Sequence, residues 1–383
     1  MHIFVLHLNK LYTMLKSYSQ LASVITLLVW LHAIPEASSQ SPDLEISDDR
    51  IGLVQSVVVD VEGRLYVGDL LNLTIHRYGP DGSYIGSFGR PGEGPGEFEG
   101  LIGLALSSDG RLLALDPDLQ RITSFSVSED DDHSTIPLPP LNGMIGVTGT
   151  LVTGLNGLWM DGENRPIILT QQPARPGGEQ QQQDALYRLH DDGSAEKVTE
   201  VVAMELLILE NGGFSAGPMP FGERPVVAVS PKGHLLTGST TRIALHRIDD
   251  EGERQLHVDH DMERAPIDES LVRRALEREG AEEELERFAE VMARVPQHMP
   301  ALEHIALDSR NRVWVAVNTL EALEEGRTHY KVFDSDGALS HAVDLEGVVM
   351  LQAVTHTHAY GLTTDARGAQ SVVRYELEVL LER

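Results

Sequence analysis

The chain has 383 residues, enough for one large domain or two, with 41% hydrophobic and 23% charged residues. Its 59 Asp and Glu outnumber 30 Lys and Arg, giving a formal charge of -29, a field that repels nucleic-acid phosphates and anionic lipid and accommodates neutral or cationic partners. It contains no cysteine, which excludes disulfides, thiolate metal sites, a cysteine nucleophile and a lipidated N-terminal cysteine.

The first predicted element is a signal peptide over 1–39. Lys10 and Lys16 precede a mostly apolar run from Leu21 to Ile34, followed by the small residues Ala37, Ser38 and Ser39, and Met14 is a candidate true start. The run is shorter than the roughly 20 residues that span a bilayer, so cleavage after about Ser39 is the expectation and an uncleaved anchor the alternative. The expected location is periplasmic or extracellular, with no stable membrane insertion once the signal is removed. Export without disulfides suits a bacterial envelope.

From residue 42 onward the chain repeats itself. VVVDVEGRLYVGDLLNLTIHRYGPDG (57–82) is echoed by LALSSDGRLLALDPDLQRITSFS (104–126), by VAVSPKGHLLTGSTTRIALHRIDDEG (227–252) and by IALDSRNRVWVAVNTLEALEEGRTHYKVFDSDG (305–337). A degenerate copy spans 155–193 and contains the polar stretch GGEQQQQDA (177–185). Each copy alternates short apolar strands with turns such as DVEGR and PDG. Four strands per repeat, with one clearly helical stretch in the mature chain, predict an all-β, six-bladed β-propeller of four-stranded blades over 42–383. The tail from Val348 supplies most of the sixth blade, with DARG as its turn. PDLEISDDRIGLV (42–54) holds a candidate strand to pair with that blade, closing the ring and removing its open edges.

Between the first two copies stands FGRPGEGPGEF (88–98). Gly92 and Gly94 fit the first two places of a GxGxxG phosphate loop, but Glu97 occupies the third and a strand follows where a helix is needed. The stretch therefore reads as the linker from blade one to blade two, with Phe98 as its anchor in the core. Further along, 261–300 is an insertion between blades four and five. DESLVRRALEREGAEEELERFAEVMARV (268–295) has helical spacing of Leu271, Ala275, Leu285, Phe288, Ala289 and Met292, divided near Gly280. It is expected as an amphipathic insert packed on the blade beneath it, with a mobile lid as the alternative.

The repeat in VVVDVEGRLYVGDLLNLTIHRYGPDGSYIGSFG resembles an NHL repeat, and FGRPGEGPGEF resembles the linker that follows one. VTHTHAYGLTTDARGAQSVVRYEL and MPALEHIALDSRNRVWV are similar to the closing blades of exported bacterial six-bladed propellers of largely unassigned function. The resemblance covers roughly 45–380. It implies the fold and leaves function open, because the family includes both binders and enzymes.

In a four-stranded antiparallel blade the connection between strands two and three shares a face with the blade-to-blade linkers. The long segments (88–98, 130–149, 204–224 and 261–300) all fall on this linker face, which is where a ligand site is expected. Asp69 and Asp116 follow the second strand of blades one and two, with Asn72 and Asp118 nearby. Together with Arg121 and Arg242 they are the candidate ligand contacts. Oxygen groups of this kind suit calcium, although an Asp at this point of an NHL-like repeat closes a turn through local hydrogen bonds. The family resemblance also implies zinc as an alternative, since some six-bladed relatives are zinc-dependent lyases, and His304, His356 and His358 join Asp69 and Asp116 as candidate metal ligands. No GxSxG elbow or GxxxxGK[ST] loop is present. The leading expectation is an exported binding scaffold for a small molecule, glycan or protein, rather than an enzyme. A metal-dependent lactonase- or lyase-like enzyme and a structural subunit of an envelope complex are the alternatives.

Overall fold

The computed structural model describes residues 40–383 apart from 129–131, 141–156, 172–182, 191, 211–213, 280–284, 366 and 383. The proposed signal peptide, most of the 130–149 segment and most of the glutamine run lie outside the described residues.

Strand β1 (Leu44–Ile46) comes first. Blade one is β2 (Val54–Val59), β3 (Leu65–Asp69), β4 (Thr74–Tyr78) and β5 (Tyr84–Phe88), and blade two is β6 (Gly103–Leu106), β7 (Arg111–Asp116), β8 (Arg121–Ser126) and β9 (His133–Pro137). Blade three is β10 (Leu158–Met160), β11 (Pro166–Thr170), β12 (Gln183–Leu189) and β13 (Ala195–Val202), followed by a separate hairpin, β14 (Leu206–Glu210) and β15 (Phe214–Pro218). Blade four is β16 (Pro225–Val229), β17 (Leu235–Ser239), β18 (Arg242–Ile248) and β19 (Arg254–His260); helices α1 (Glu269–Glu279) and α2 (Phe288–Met292) come next. Blade five is β20 (Leu302–Leu307), β21 (Val313–Val317), β22 (Arg327–Phe333) and β23 (Leu339–Glu346), with α3 (Leu320–Glu325) between its second and third strands. Blade six is β24 (Val349–Val354), β25 (His358–Thr364) and β26 (Gln370–Glu376), ending in α4 (Leu377–Leu381). Its fourth strand is β1, which pairs antiparallel with β26 in the register Leu44 to Arg374 and Ile46 to Val372. The six antiparallel sheets form a ring, a β-propeller, and the N-terminal strand supplies the outer strand of the last blade.

Six apolar clusters hold the ring, one between each pair of neighbouring blades. Tyr66, Phe88, Phe98, Leu104 and Phe125 lie between blades one and two. Val57, Leu65, Tyr360 and Val372 join blade one to blade six, and Trp314, Tyr330, Leu351 and Tyr375 join five to six. The alternation of each strand sends one set of side chains to each neighbour, which is why the repeats read as alternating apolar strands. The turns after the first strand are built alike in blades one, three and five. Asp60, Asp161 and Asp308 each accept the N–H two and four residues on and pair with the Arg four residues on. Blade six differs, because its DARG turn at Asp365 joins strands two and three and lies on the linker face, while 355–357 make its first turn.

The linker 88–98 is pinned at both ends. Phe98 is wholly buried, and its ring lies against Gly89, whose φ of +75° and lack of a Cβ let the backbone pass over it. Glu97 accepts from Arg90 Nε (2.8 Å) and from the Gly94 N–H (2.8 Å), so its carboxylate folds the loop onto itself.

The insertion departs from expectation in what it packs against. Asp268 accepts the Leu271 N–H (2.8 Å) and starts α1. Val272, Leu276 and Val291 are then buried with Leu207 and Met219 of the β14–β15 hairpin region, in a cluster separate from the blades. Arg273 stacks over Phe288 at 4.3 Å. The chain enters and leaves the insertion through a paired stem, Ile267 N–H to Gln297 O (2.9 Å) and Met299 N–H to Ala265 O (2.9 Å). Hairpin and helices thus form one small cap rooted in the linkers on either side of blade four.

Candidate functional site

On the linker face of blades one and two, both sequence-predicted aspartates are fully buried. Asp69 accepts the N–H groups of Gly52 (2.7 Å), Leu53 (3.0 Å), Leu71 (3.1 Å) and Asn72 (3.1 Å), the Asn72 side-chain amide (2.7 Å), and faces His76 Nε2 at 3.2 Å. Burial opposes its charge, but these bonds outweigh it and hold the carboxyl well below the usual carboxylate range. Asp116 likewise accepts from the N–H groups of Glu99 (3.0 Å), Gly100 (3.1 Å), Asp118 (3.1 Å) and Leu119 (3.0 Å). A carboxylate offers about four lone-pair sites, so Asp116 is filled by backbone and Asp69 by backbone together with Asn72 and His76. Their work is to close the turn between strands two and three and to fix the incoming linker.

The other sequence-predicted residues are equally occupied or stand apart. Asn72 also donates to Arg50 O (3.1 Å). Arg121 donates to the carbonyls of Glu93 (3.2 Å), Gly94 (2.7 Å) and Glu97 (2.8 Å), stapling the glycine-rich linker. Arg242 pairs with Asp259 at 2.7 Å, both largely exposed. His304 lies near the linker-face end of β20, whereas His356 sits in the first turn of blade six and His358 opens β25, at the opposite end of the ring. The histidines proposed as one zinc set therefore belong to two faces. Among the described residues no group of three or more His, Asp or Glu is placed to hold a metal, and the side chains named for calcium or zinc do not come together to fit either ion.

What sequence reasoning missed lies one residue from His304. In β20, Leu302 pairs with Val317 and His304 with Ala316, leaving Glu303 as the extra residue of a β-bulge. A bulge bends the strand and re-aims the inserted side chain. Here Glu303 Oε1 accepts from Arg224 Nη2 at 2.6 Å and Oε2 from Asn318 Nδ2 at 3.2 Å. Arg224 is itself set by Thr240, whose hydroxyl accepts the Arg224 N–H (3.0 Å) while its own N–H donates to Arg224 O (2.9 Å). Burial raises the Glu303 pKa, but the nearby Arg224 charge prevails and the net shift is downward, leaving a carboxylate at neutral pH. The side chain nevertheless keeps 39% of its surface open. The carboxylate is thus held by side chains of two other elements and still reached by solvent.

His304 completes the group. Its Nε2 lies 2.7 Å from Tyr330 OH and 3.2 Å from the Leu351 N, and Tyr330 in turn donates to Val349 O (3.0 Å). Burial drives its pKa down to about 4 and Arg224 works the same way, against the opposing pull of Glu303. The imidazole is therefore neutral at physiological pH. Its Nδ1 is buried without a hydrogen-bond partner among the described residues, an unusual condition for a polar atom at a buried position. Both roots of the cap adjoin this group, because the hairpin runs through Glu223 into Arg224 and the stem of the insertion runs through Met299 into Glu303. The signal that would have found it is register, which a single sequence does not display.

No protein-family model matches the chain, and no curated protein matches it. The six-bladed fold implied by the resemblance stands, while no family model carries the NHL-repeat assignment. Among solved structures the chain is similar to a gluconolactonase of Xanthomonas campestris, with 13% identity over 87% of this chain and 88% of that one and a TM-score of 0.49. It is also similar to regucalcin, a calcium-binding protein of Agrobacterium tumefaciens, with 12% identity over 89% and 96% of the two chains and a TM-score of 0.46. Virginiamycin B lyase of Staphylococcus aureus shows 11% identity over 88% and 87%, with a TM-score of 0.41. Likeness at this level speaks to neither substrate nor mechanism.

Proposed function

We propose that the protein is an exported binding scaffold that takes a small polar molecule on its linker face, at the Arg224–Glu303–Asn318–His304 group beside the cap. The observation that carries this reading is Glu303, an ionised carboxylate re-aimed by a bulge, held by two side chains and still open. Structural acids on the same face are closed off, Asp116 by backbone and Asp69 by backbone with Asn72 and His76. The open capacity of the group is rich in acceptors: the remaining lone pairs of Glu303 and the Asn318 carbonyl. It calls for a ligand that donates several hydrogen bonds, such as a hydroxylated or amino-bearing small molecule. The acidic field of the chain favours neutral and cationic ligands over anions.

The test is saturation-transfer NMR with a panel of neutral hexoses and amino sugars on the wild type, Glu303→Gln and Asp118→Asn. A probe whose signal disappears in Glu303→Gln and persists in Asp118→Asn supports the site. Probes that bind equally to all three proteins place recognition elsewhere.

A further inference from the structure

The cap buries Leu207, Met219, Val272, Leu276 and Val291, but a neighbouring turn of the linker face does the reverse. Helix α3, in the turn between strands two and three of blade five, buries its small residue Ala322 and leaves Leu320 at 39% and Leu323 at 43% exposure. An amphipathic helix on a protein surface ordinarily turns its large apolar residues inward. Its fold is otherwise well specified, since Thr319 accepts the Ala322 N–H (3.1 Å) at one end and Gly326 turns left-handed at the other. The outward leucines are therefore not the result of a loosely placed helix.

They are also not alone. Val348, 51% exposed, lies in the linker from blade five to blade six, whose Gly347 carbonyl accepts from Thr328 just beyond α3 (2.9 Å). Leu53 (37%) and Leu71 (71%) are exposed on the same face in blade one, where Leu71 packs on Gly52 beside Leu53. Single exposed apolar residues need no explanation, but a series on one face rimmed by charge marks an interaction surface.

The charge around it has one sign. Every arginine of this arc is already paired: Arg50 with Asp48 (2.8 Å), Arg327 with Glu325 (2.8 Å) and Arg367 with Asp365 (3.0 Å). Glu321 and Glu324 of α3 are exposed and have no ion-pair partner among the described residues, as is Asp49. An apolar surface edged by free carboxylates fits a partner of the complementary pattern, apolar at its centre and basic at its rim. A second copy of this chain, itself at -29, lacks that pattern, and an anionic membrane is repelled.

We infer that the linker-face arc of blades five, six and one, centred on Leu320 and Leu323, is a docking surface for a basic, amphipathic segment of a partner protein. It begins two residues beyond Asn318, shares no side chain with the Glu303 group and does not depend on that site holding a ligand.

The experiment is fluorescence anisotropy of the whole chain with a labelled helical peptide built from leucine and lysine, and with its leucine and glutamate counterpart. The wild type binds the lysine peptide, and the double variant Leu320→Ser/Leu323→Ser weakens it by about tenfold or more. Glu321→Gln/Glu324→Gln weakens it less and flattens its salt dependence. Leu339→Ser on β23 leaves it unchanged. Equal binding by the Leu320→Ser/Leu323→Ser variant, or equal binding of both peptides, overturns the inference. Sedimentation with neutral phosphatidylcholine vesicles that depends on Leu320 and Leu323 also overturns it, in favour of a lipid surface. A concentration-dependent dimer lost in the same variant overturns it in favour of self-association.

Discussion

Blades one and two and blades four and five present acids on the same face of the same ring, yet the acids do different work. Asp69 and Asp116 are filled by backbone N–H groups of the incoming linker and the adjoining turn. Among the described residues Glu303 meets no backbone donor and is held by side chains alone, Arg224 and Asn318, while remaining open. A carboxylate that ends a turn is part of the scaffold, because its partners are dictated by the chain path. One that is inserted by a bulge and met by side chains from other elements is arranged by tertiary structure, and its exposure leaves capacity for a ligand.

This contrast is broken most forcefully at the scaffold acids. Asp116→Ala leaves four N–H groups without their acceptor, and a loss of about 4–5 kcal/mol is expected, read as a fall in the urea midpoint. Phe98→Ala removes the anchor of the same linker and is expected to cost about 3–4 kcal/mol, with a lower melting temperature. A result below about 1 kcal/mol for either would mean that the linker is held in another way.

His304 sharpens the comparison through pH. Its folded pKa of about 4 lies below the ordinary 6.5, so the folded state refuses a proton that the unfolded chain accepts. The stability it contributes is complete above about pH 6.5 and is lost as the pH falls toward 4, by roughly 3 kcal/mol in all. Urea titrations of wild type and His304→Gln across this range should converge as the pH drops. Parallel curves would place the buried imidazole in a different protonation state. The smallest effect is expected at Glu303, where Glu303→Gln keeps the shape and changes stability by less than about 1 kcal/mol, because the pair with Arg224 remains partly solvated.

Local chemistry made much of the fold legible. The turns PDG and DVEGR, the alternating strands between them and the N-terminal PDLEISDD all announce themselves within a few residues, so the six blades and the closing strand follow from the chain. Phe98 was readable for the same reason. Asn211–Gly212 between two apolar runs is a short-range hairpin signal that went unread. The run 204–224 nevertheless reads as an irregular loop when judged by length alone. What the insertion packs against was not legible, since Val272 and Leu276 meet Leu207 and Met219 from a distant part of the chain. The same holds for the site. Arg224 and Glu303 are brought together by the pairing of blades, and the bulge is a property of two strands in register. Sequence pointed to Asp69, Asp116 and the histidines because they are conspicuous residue types; their neighbours in space decided their roles.

On the proposed function, the linker-face group around Glu303, and not the turn acids, receives a ligand. Saturation-transfer NMR with the hexose and amino-sugar panel, run side by side on wild type, Glu303→Gln and Asp118→Asn, tests it most directly. The expected result is a probe that binds wild type and Asp118→Asn and is lost in Glu303→Gln while the fold and melting temperature are kept. Undiminished binding to Glu303→Gln would contradict it.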